Sequence, residues 1–463
     1  MGIRAAYMVP HPPLIVPEVG RGGEKEIAET TNAYERVAKE IADIAPDTIV
    51  ITSPHSVMYG DYFHVSPGEG ATGNFGRFGA PKVSFSETYD SEFTLDLEIL
   101  ANSEGFPAGT LGEREKELDH GTMVPLYFIR KYYKAGKIVR IGLSGLSLAD
   151  HYKLGMYIRQ VAEQLGRSTV IVASGDLSHK LKDDGPYGFD PAGPVYDEKI
   201  MKAAGEGDFG GMLEFDPSLL DKAAECGHRS FVIMAGAFDG LDVKPEVLSH
   251  QDVTGVGYGI CIFRPGEKNE ERCFLKKLAD KVRSVSTSAY VSLARETIEQ
   301  FVRTRKVLKF PDGIPESLKN ALPSEAFSDR AGAFVSVHKN GMLRGCIGTI
   351  SPVRDTIAEE IISNAISAVS RDPRFDRVRE DELDFLEINV DILGKPEYID
   401  GPDKLDVKRY GVIVTCGSKC GLLLPDLEGV DTVGEQISIA MRKGGIDPSD
   451  NYRLQRFEVV RYK

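Results

Sequence analysis

Short apolar runs separated by longer amphipathic stretches organise the first half of the chain. Residues 5–9, 48–52, 138–143, 169–173 and 258–263 are largely apolar or β-branched, with Arg140 the charged exception, the pattern of strands buried on both faces. Between them, apolar positions recur at helical spacing over about 25–44 and 148–165, and a further apolar helix is predicted within 227–238. Strands alternating with crossover helices predict an α/β architecture, an αβα sandwich with a largely parallel or mixed central sheet. In such a fold the ligand site lies beyond the carboxyl ends of the strands.

The second half carries a different pattern. Tyr290, Leu293, Ala294, Thr297, Ile298 and Phe301 fall on one helical face, which reads as a core stripe. Strand-like runs at 333–339 and 342–350 flank Asn340-Gly341, a strong hairpin signal. A helix over about 353–370, strands at 386–393, 412–415 and 422–424, and a helix near 433–443 complete a smaller α+β unit with antiparallel strands. The charged, turn-rich stretch Arg264-Pro-Gly-Glu-Lys-Asn-Glu-Glu-Arg272 divides the two patterns, with a short amphipathic helix predicted to about Lys281. The expected organisation is a first domain over 1–265, a linker over 266–285 and a second domain over 286–463.

Composition narrows the class. A chain of 463 residues with 41% hydrophobic and 27% charged positions builds ordinary globular cores and is long enough for two domains. With 56 Lys+Arg against 70 Asp+Glu, its formal net charge of -14 repels polyanions, so nucleic acid is not an expected partner. The 6 cysteines (226, 261, 273, 346, 416 and 420) have no framework spacing, which fits reduced thiols and a cytoplasmic location. No run approaches the ~18 apolar residues of a membrane span, and the first residues lack the apolar stretch of a signal peptide.

The histidines change the picture more than the averages do. Of the 9 in the chain, only His338 lies after residue 265. His11 follows the first predicted strand in Val9-Pro-His-Pro-Pro13, His55 the second in Ser53-Pro-His-Ser56, and His179 follows the run at 169–173 in Gly175-Asp-Leu-Ser-His179. One loop histidine is usually bonded to local backbone, whereas three at successive strand ends point to a ligand site. Imidazoles with a carboxylate would suit non-haem Fe(II), whose facial triad keeps positions open. Third-donor candidates cluster in Glu225-Cys-Gly-His228. Glu225 could equally serve the following helix as a first-turn carboxylate, and Cys226 and His228 are rival donors whose choice shifts the preference to Zn or Cu. Asp176, three residues before His179, either orients that imidazole or caps the local turn. His64, His151 and His250 lack a comparable motif and read as structural or surface residues.

The Pro-His-Pro-Pro start, Ser53-Pro-His-Ser56, Leu118-Asp-His-Gly-Thr-Met-Val-Pro-Leu126, Gly175-Asp-Leu-Ser-His179, and Glu225 ahead of Ile233-Met-Ala-Gly-Ala237 stand in one order over the first 265 residues. Together they resemble the catalytic subunit of class III extradiol ring-cleavage dioxygenases, a superfamily that includes the Memo proteins. The resemblance implies Fe(II) held by His11, His55 and Glu225. It implies His179 as the general base toward a catechol hydroxyl, and His120 as a hydrogen-bonding histidine toward substrate or oxygen. A catechol-like substrate and O2 would be the reactants. Memo-type relatives share the fold and imply an alternative, a metal-binding interaction or maturation protein without ring cleavage.

In the second domain, Leu343-Arg-Gly-Cys-Ile-Gly-Thr349, Arg371-Asp-Pro-Arg-Phe375 and Leu422-Leu-Leu-Pro425 resemble the AMMECR-type family. The fusion resembles two parts of the AmmeMemoRadiSam grouping, and so implies a radical SAM protein as partner. The chain has no CxxxCxxC motif and is not expected to hold an Fe–S cluster itself. Cys346 reads as a nucleophile near Arg344 or, more simply, as a small buried apolar residue. Cys416 and Cys420 span a turn but make only half a zinc site. Arg371, Arg374, Arg377 and Arg379, interleaved with acids, read as a salt-bridged surface before an anion site.

Overall fold

The computed structural model describes residues 2–114, 117–284, 288–339, 342–427 and 429–463. The chain divides into two compact units, Met1–Lys277 and Leu278–Lys463.

The first unit is built on six strands: β1 (Gly2–Val9), β2 (Thr48–Ser53), β3 (Lys137–Gly142), β4 (Ser168–Ser174), β5 (Leu241–Gln251) and β6 (Tyr258–Lys268). Their order is β3-β2-β4-β1-β6-β5. The pairs among β3, β2, β4 and β1 are parallel, and β6 runs antiparallel to both β1 and β5, so the sheet is mixed. Helices α1 (Ala28–Ile44) and α2 (His120–Tyr132) pack on one face, sharing a core with Tyr7, Ile49, Ile51 and Val172. Helices α3 (Leu148–Gln164) and α4 (His228–Gly236) pack together on the other. They meet at glycines: a Cβ on Gly155 would stand 1.9 Å from the Ile233 carbonyl oxygen, and one on Gly236 1.8 Å from that of Tyr152. Ser147 and Asp150 form a capping box at the start of α3. The result is the αβα sandwich expected from the alternating pattern.

The second unit is α+β, with every strand pair antiparallel. It contains β7 (Ala333–Lys339), β8 (Met342–Gly348), β9 (Leu386–Leu393), β10 (Tyr410–Cys416), β11 (Lys419–Leu423) and β12 (Arg453–Tyr462) in the order β8-β7-β9-β12-β10-β11. Helices α5 (Ala289–Thr304) and α6 (Ile357–Ser370) cover β7 and β9 through Leu293, Ile298, Ile361, Ala365, Val335 and Val390. Helix α7 (Val433–Gly444) covers β10 and β11. The predicted Asn340-Gly341 turn lies outside the described residues. The predicted linker is partly regular: β6 extends to Lys268 and a helix spans Phe274–Ser284.

No helix among the described residues is long and apolar enough to cross a membrane.

Candidate metal centre

Parallel order does most of the assembly. Strands β2, β4 and β1 are neighbours running in one direction, so their carboxyl ends deliver His55, the Asp176–His179 loop and His11 to one edge of the sheet. The first loop is held by the Tyr34 hydroxyl, which donates to the Pro10 carbonyl while its ring stacks on Phe128. The His11 backbone N–H donates to Asp176 Oδ1 at 2.8 Å, which ties the first loop to the third. A close approach of glycines brings in a fourth segment. A Cβ on Gly175 would lie 2.0 Å from Gly227 Cα, so the loop carrying Cys226 rests directly on the one carrying Asp176. Two bonds fix the contact, from Gly227 N to Asp176 O at 3.1 Å and from Asp176 N to Cys226 Sγ at 3.2 Å.

Within this frame His11 Nε2 stands 3.0 Å from His55 Nε2 and 3.6 Å from Cys226 Sγ. The donor atoms of His11, His55 and Cys226 all lie within 4.8 Å of one another, a grouping able to hold a metal ion. Asp176, His179 and Cys226 form a second such grouping that shares the thiol. Asp176 Oδ2 sits between the imidazoles, 4.0 Å from His11 Nε2 and 3.9 Å from His179 Nε2. Asp176 therefore belongs to the site, and its carboxylate caps no turn of its own loop. His120 opens α2 and lies against His55 with ring centroids 4.0 Å apart.

The surroundings orient these rings. His11 Nδ1 is 3.0 Å from Ser174 Oγ, whose own proton goes to the Gly121 carbonyl; the serine hydrogen is thus committed and Nδ1–H donates to it. That leaves Nε2 with its lone pair directed at His55 and Cys226, the tautomer a metal ligand needs. Asp119 caps α2, accepting from Thr122 N at 3.0 Å, and also accepts from Ser53 Oγ beside His55. His179 Nδ1 bonds to the Ala224 carbonyl, so its Nε2 faces Asp176. Ser174 carries no sequence signal, and Ser53 stands in the Ser53-Pro-His-Ser56 motif without its role being legible there. Asp119, standing ahead of an apolar helix, does.

Burial, reinforced by the neighbouring His55, lowers the His11 pKa to about 3, and burial lowers His120 to about 4 and His55 below its ordinary value. All three imidazoles are neutral at neutral pH. Burial raises the Cys226 thiol and also raises the Asp176 carboxyl. Metal entry would have to displace the thiol proton, which the soft thiolate interaction compensates.

Glu225 is not brought into this cluster. Its Oε2 accepts from His228 N at 2.6 Å at the start of α4, where free N–H groups offer a carboxylate better partners than solvent-poor protein does. Burial raises its pKa to about 7. His228 is buried on the far side of the same turn, with Nε2 2.9 Å from the Met212 carbonyl and Nδ1 near the Tyr196 hydroxyl. Among the other histidines, His64 and His151 are buried and bonded to backbone, and His250 pairs with Asp197 at 3.0 Å.

In the second unit Arg344 turns from Cys346 to Glu382, at 3.0 Å, and to the carbonyls of Asp376 and Arg377. Cys346 Sγ instead accepts from Ser336 Oγ at 3.1 Å. Of the four clustered arginines, Arg374 pairs with Asp372 and Arg379 with Asp381, whereas among the described residues the guanidinium groups of Arg371 and Arg377 have no carboxylate partner. Hairpin register pairs Cys416 with Lys419 and Thr415 with Cys420, which puts the two thiols on opposite faces.

Residues 5–261 match the family described as the catalytic LigB subunit of aromatic ring-opening dioxygenase, and residues 291–463 match AMMECR1. The chain belongs to the LigB family and carries an AMMECR1 domain behind it. A protein of Clostridium acetobutylicum is 42% identical over 475 residues, covering 100% of both chains, so the LigB–AMMECR1 arrangement is shared end to end. A Thermotoga maritima protein is 49% identical over 176 residues, covering 38% of this chain and 97% of its own length. A crystal structure of an uncharacterized Pyrococcus horikoshii protein is 32% identical, covers 37% of this chain and 88% of its own, and has a TM-score of 0.33.

Proposed function

We propose that the LigB domain is a transition-metal centre in which His11 Nε2, His55 Nε2 and Cys226 Sγ hold the ion, in the manner of a Memo-like binding or maturation protein. The observation that carries this reading is the convergence of those three donors, with Glu225 committed elsewhere. Two neutral imidazoles and a thiolate are a softer set than the two histidines and carboxylate of ferrous oxygenases, and they suit copper or zinc. The Ser174 hydroxyl orients His11, and Asp119 with Ser53 steadies the His55 loop, so the donors are held by buried partners.

A second reading, O2-dependent opening of a catechol-like ring on Fe(II), draws support from Asp176 and His179. Asp176 Oδ2 lies 4.0 Å from His11 Nε2, where it could supply the missing carboxylate donor. Bound Fe(II) would hold the catecholate and O2 side by side and relay electrons from the ring, which is oxidised, to oxygen. His179 Nε2 would take the proton of a substrate hydroxyl, and His120, kept neutral by burial, would hydrogen-bond the substrate.

The test is metal content and specificity of the full chain, purified anaerobically and titrated with Cu(I), Zn(II) and Fe(II). His11→Ala, His55→Ala and Cys226→Ser should each lose bound metal, and Glu225→Gln should keep it. Metal retained in Cys226→Ser and lost in Glu225→Gln overturns the thiolate assignment. Oxygen uptake with a ring-opened chromophore from a catechol panel would favour the second reading over the first.

A further inference from the structure

The AMMECR1 domain contains a groove that the metal centre does not use. It runs along one face of α6 and has a volume of about 410 Å3, within the range of small-molecule sites. Its floor is apolar: Leu308, Ile362 and Ile366 are buried members of the core. Val307 and Val353 stand over it at 57% and 62% exposure, large apolar side chains left facing solvent at the same place. Isolated exposed valines are ordinary, but two that rim a cavity with an aliphatic floor extend one apolar surface.

Charge is distributed unevenly along the groove. Asp355 and Glu359 lie at the amino end of α6, and Arg371 immediately follows its carboxyl end. Arg371 lies twelve positions beyond Glu359, about 18 Å at ~1.5 Å per residue, well beyond a Debye length in physiological salt. Arg354 stands at the acidic end, with Nη2 3.1 Å from Ser363 Oγ. Among the described residues the Arg371 guanidinium makes no hydrogen bond or ion pair with protein, nearby Arg344, Arg374 and Arg379 are each matched to a carboxylate, and Arg377, also unmatched, does not line the groove. An unmatched fork of donors at the end of an apolar trough is the arrangement that recognises a carboxylate attached to a hydrocarbon body.

We propose that this groove binds a small organic carboxylate with an apolar body, its acid group paired with Arg371 and its body lying on Ile362, Ile366 and Val353. The bare helix terminus is not the site, because the carboxyl end of α6 would repel an anion and only the Arg371 side chain reverses that.

The full chain is titrated with decanoate, kept below its micelle concentration, and with decanamide, which has the same body and no charge. Binding is read by calorimetry and by the isoleucine methyl resonances of Ile362 and Ile366. Decanoate should bind saturably and at least ten-fold more tightly than decanamide, moving both methyl signals. Arg371→Gln should abolish that preference, Arg371→Lys should restore part of it, and Val353→Asp should weaken both ligands. Val353 is exposed, so its variant is expected to fold. Equal affinity for acid and amide, binding unchanged in Arg371→Gln, binding that leaves both methyl signals in place, or no saturable binding of decanoate would each overturn the proposal.

Discussion

Replacing Gly175 by alanine should dismantle the proposed metal centre without touching a donor. The new Cβ would stand 2.0 Å from Gly227 Cα and 3.0 Å from Gly227 N, and both are backbone atoms that cannot rotate aside. Carbon atoms settle at ~3.5–4.0 Å, so the Asp176 and Cys226 loops must part by about 1.5 Å. Cys226 adjoins Gly227, and its Sγ now lies 3.6 Å from His11 Nε2. Metal–ligand distances tolerate only about 0.2 Å of change, so a displacement several times larger removes the thiolate from the donor set. Disturbing the partners that orient a ligand already costs about 10- to 100-fold in metal affinity, and Gly175→Ala should cost at least that. Overpacking should also destabilise the first unit by about 1–3 kcal/mol. The assay is competition for metal against a chromophoric chelator, with circular dichroism to verify folding. Gly175 has no positive φ, so alanine adds steric conflict without backbone strain. A folded variant that binds metal as tightly as the parent would refute the steric coupling of the two loops.

His151 gives a pH prediction away from the site. Burial depresses its pKa to about 3, from an ordinary value of 6.5 in the unfolded chain. Between those values the unfolded state binds the extra proton, so the contribution to stability is complete above about 6.5 and is lost as pH falls toward 3. Denaturant midpoints of the first unit, followed between about pH 4 and 7, should fall less steeply with acid in His151→Gln than in the parent; identical slopes would count against it. In the second unit Gly434, at the second position of α7, has open space around its missing Cβ and no positive φ. Gly434→Ala should stabilise that unit by about 0.4–1 kcal/mol, read as a raised Tm, and a lowered Tm contradicts the assignment of an unstrained helical glycine.

Strands buried on both faces were legible because their central positions are continuously apolar or β-branched with no charged residue, as in β2 and β4. Strand β12 was not, although it lies inside its sheet. Its side chains are rich in charge because Arg461 pairs with Asp391, Glu458 with Arg409 and Arg456 with Glu397, and no local periodicity announces such partners. Helix α2 was likewise absent from the pattern of predicted elements. Pro125 lies inside it, where sequence reasoning expects interruption, yet its surface is buried against α1 and the sheet.

The sequence by itself determined the class of the two domains and the strand ends at which the candidate site lies. Alternation of apolar runs with helices sets strand direction, and strand direction puts His11, His55 and His179 at one edge. Which of Glu225, Cys226 and His228 meets those imidazoles was decided only by the tertiary structure. Three positions within a single turn differ in the direction of their side chains, and spacing cannot rank them. The contact of Gly175 with Gly227 fixes that direction, because two segments 52 residues apart can approach to backbone distance only where neither carries a Cβ. The free N–H groups at the start of α4 then take Glu225, and the thiol is left facing the histidines.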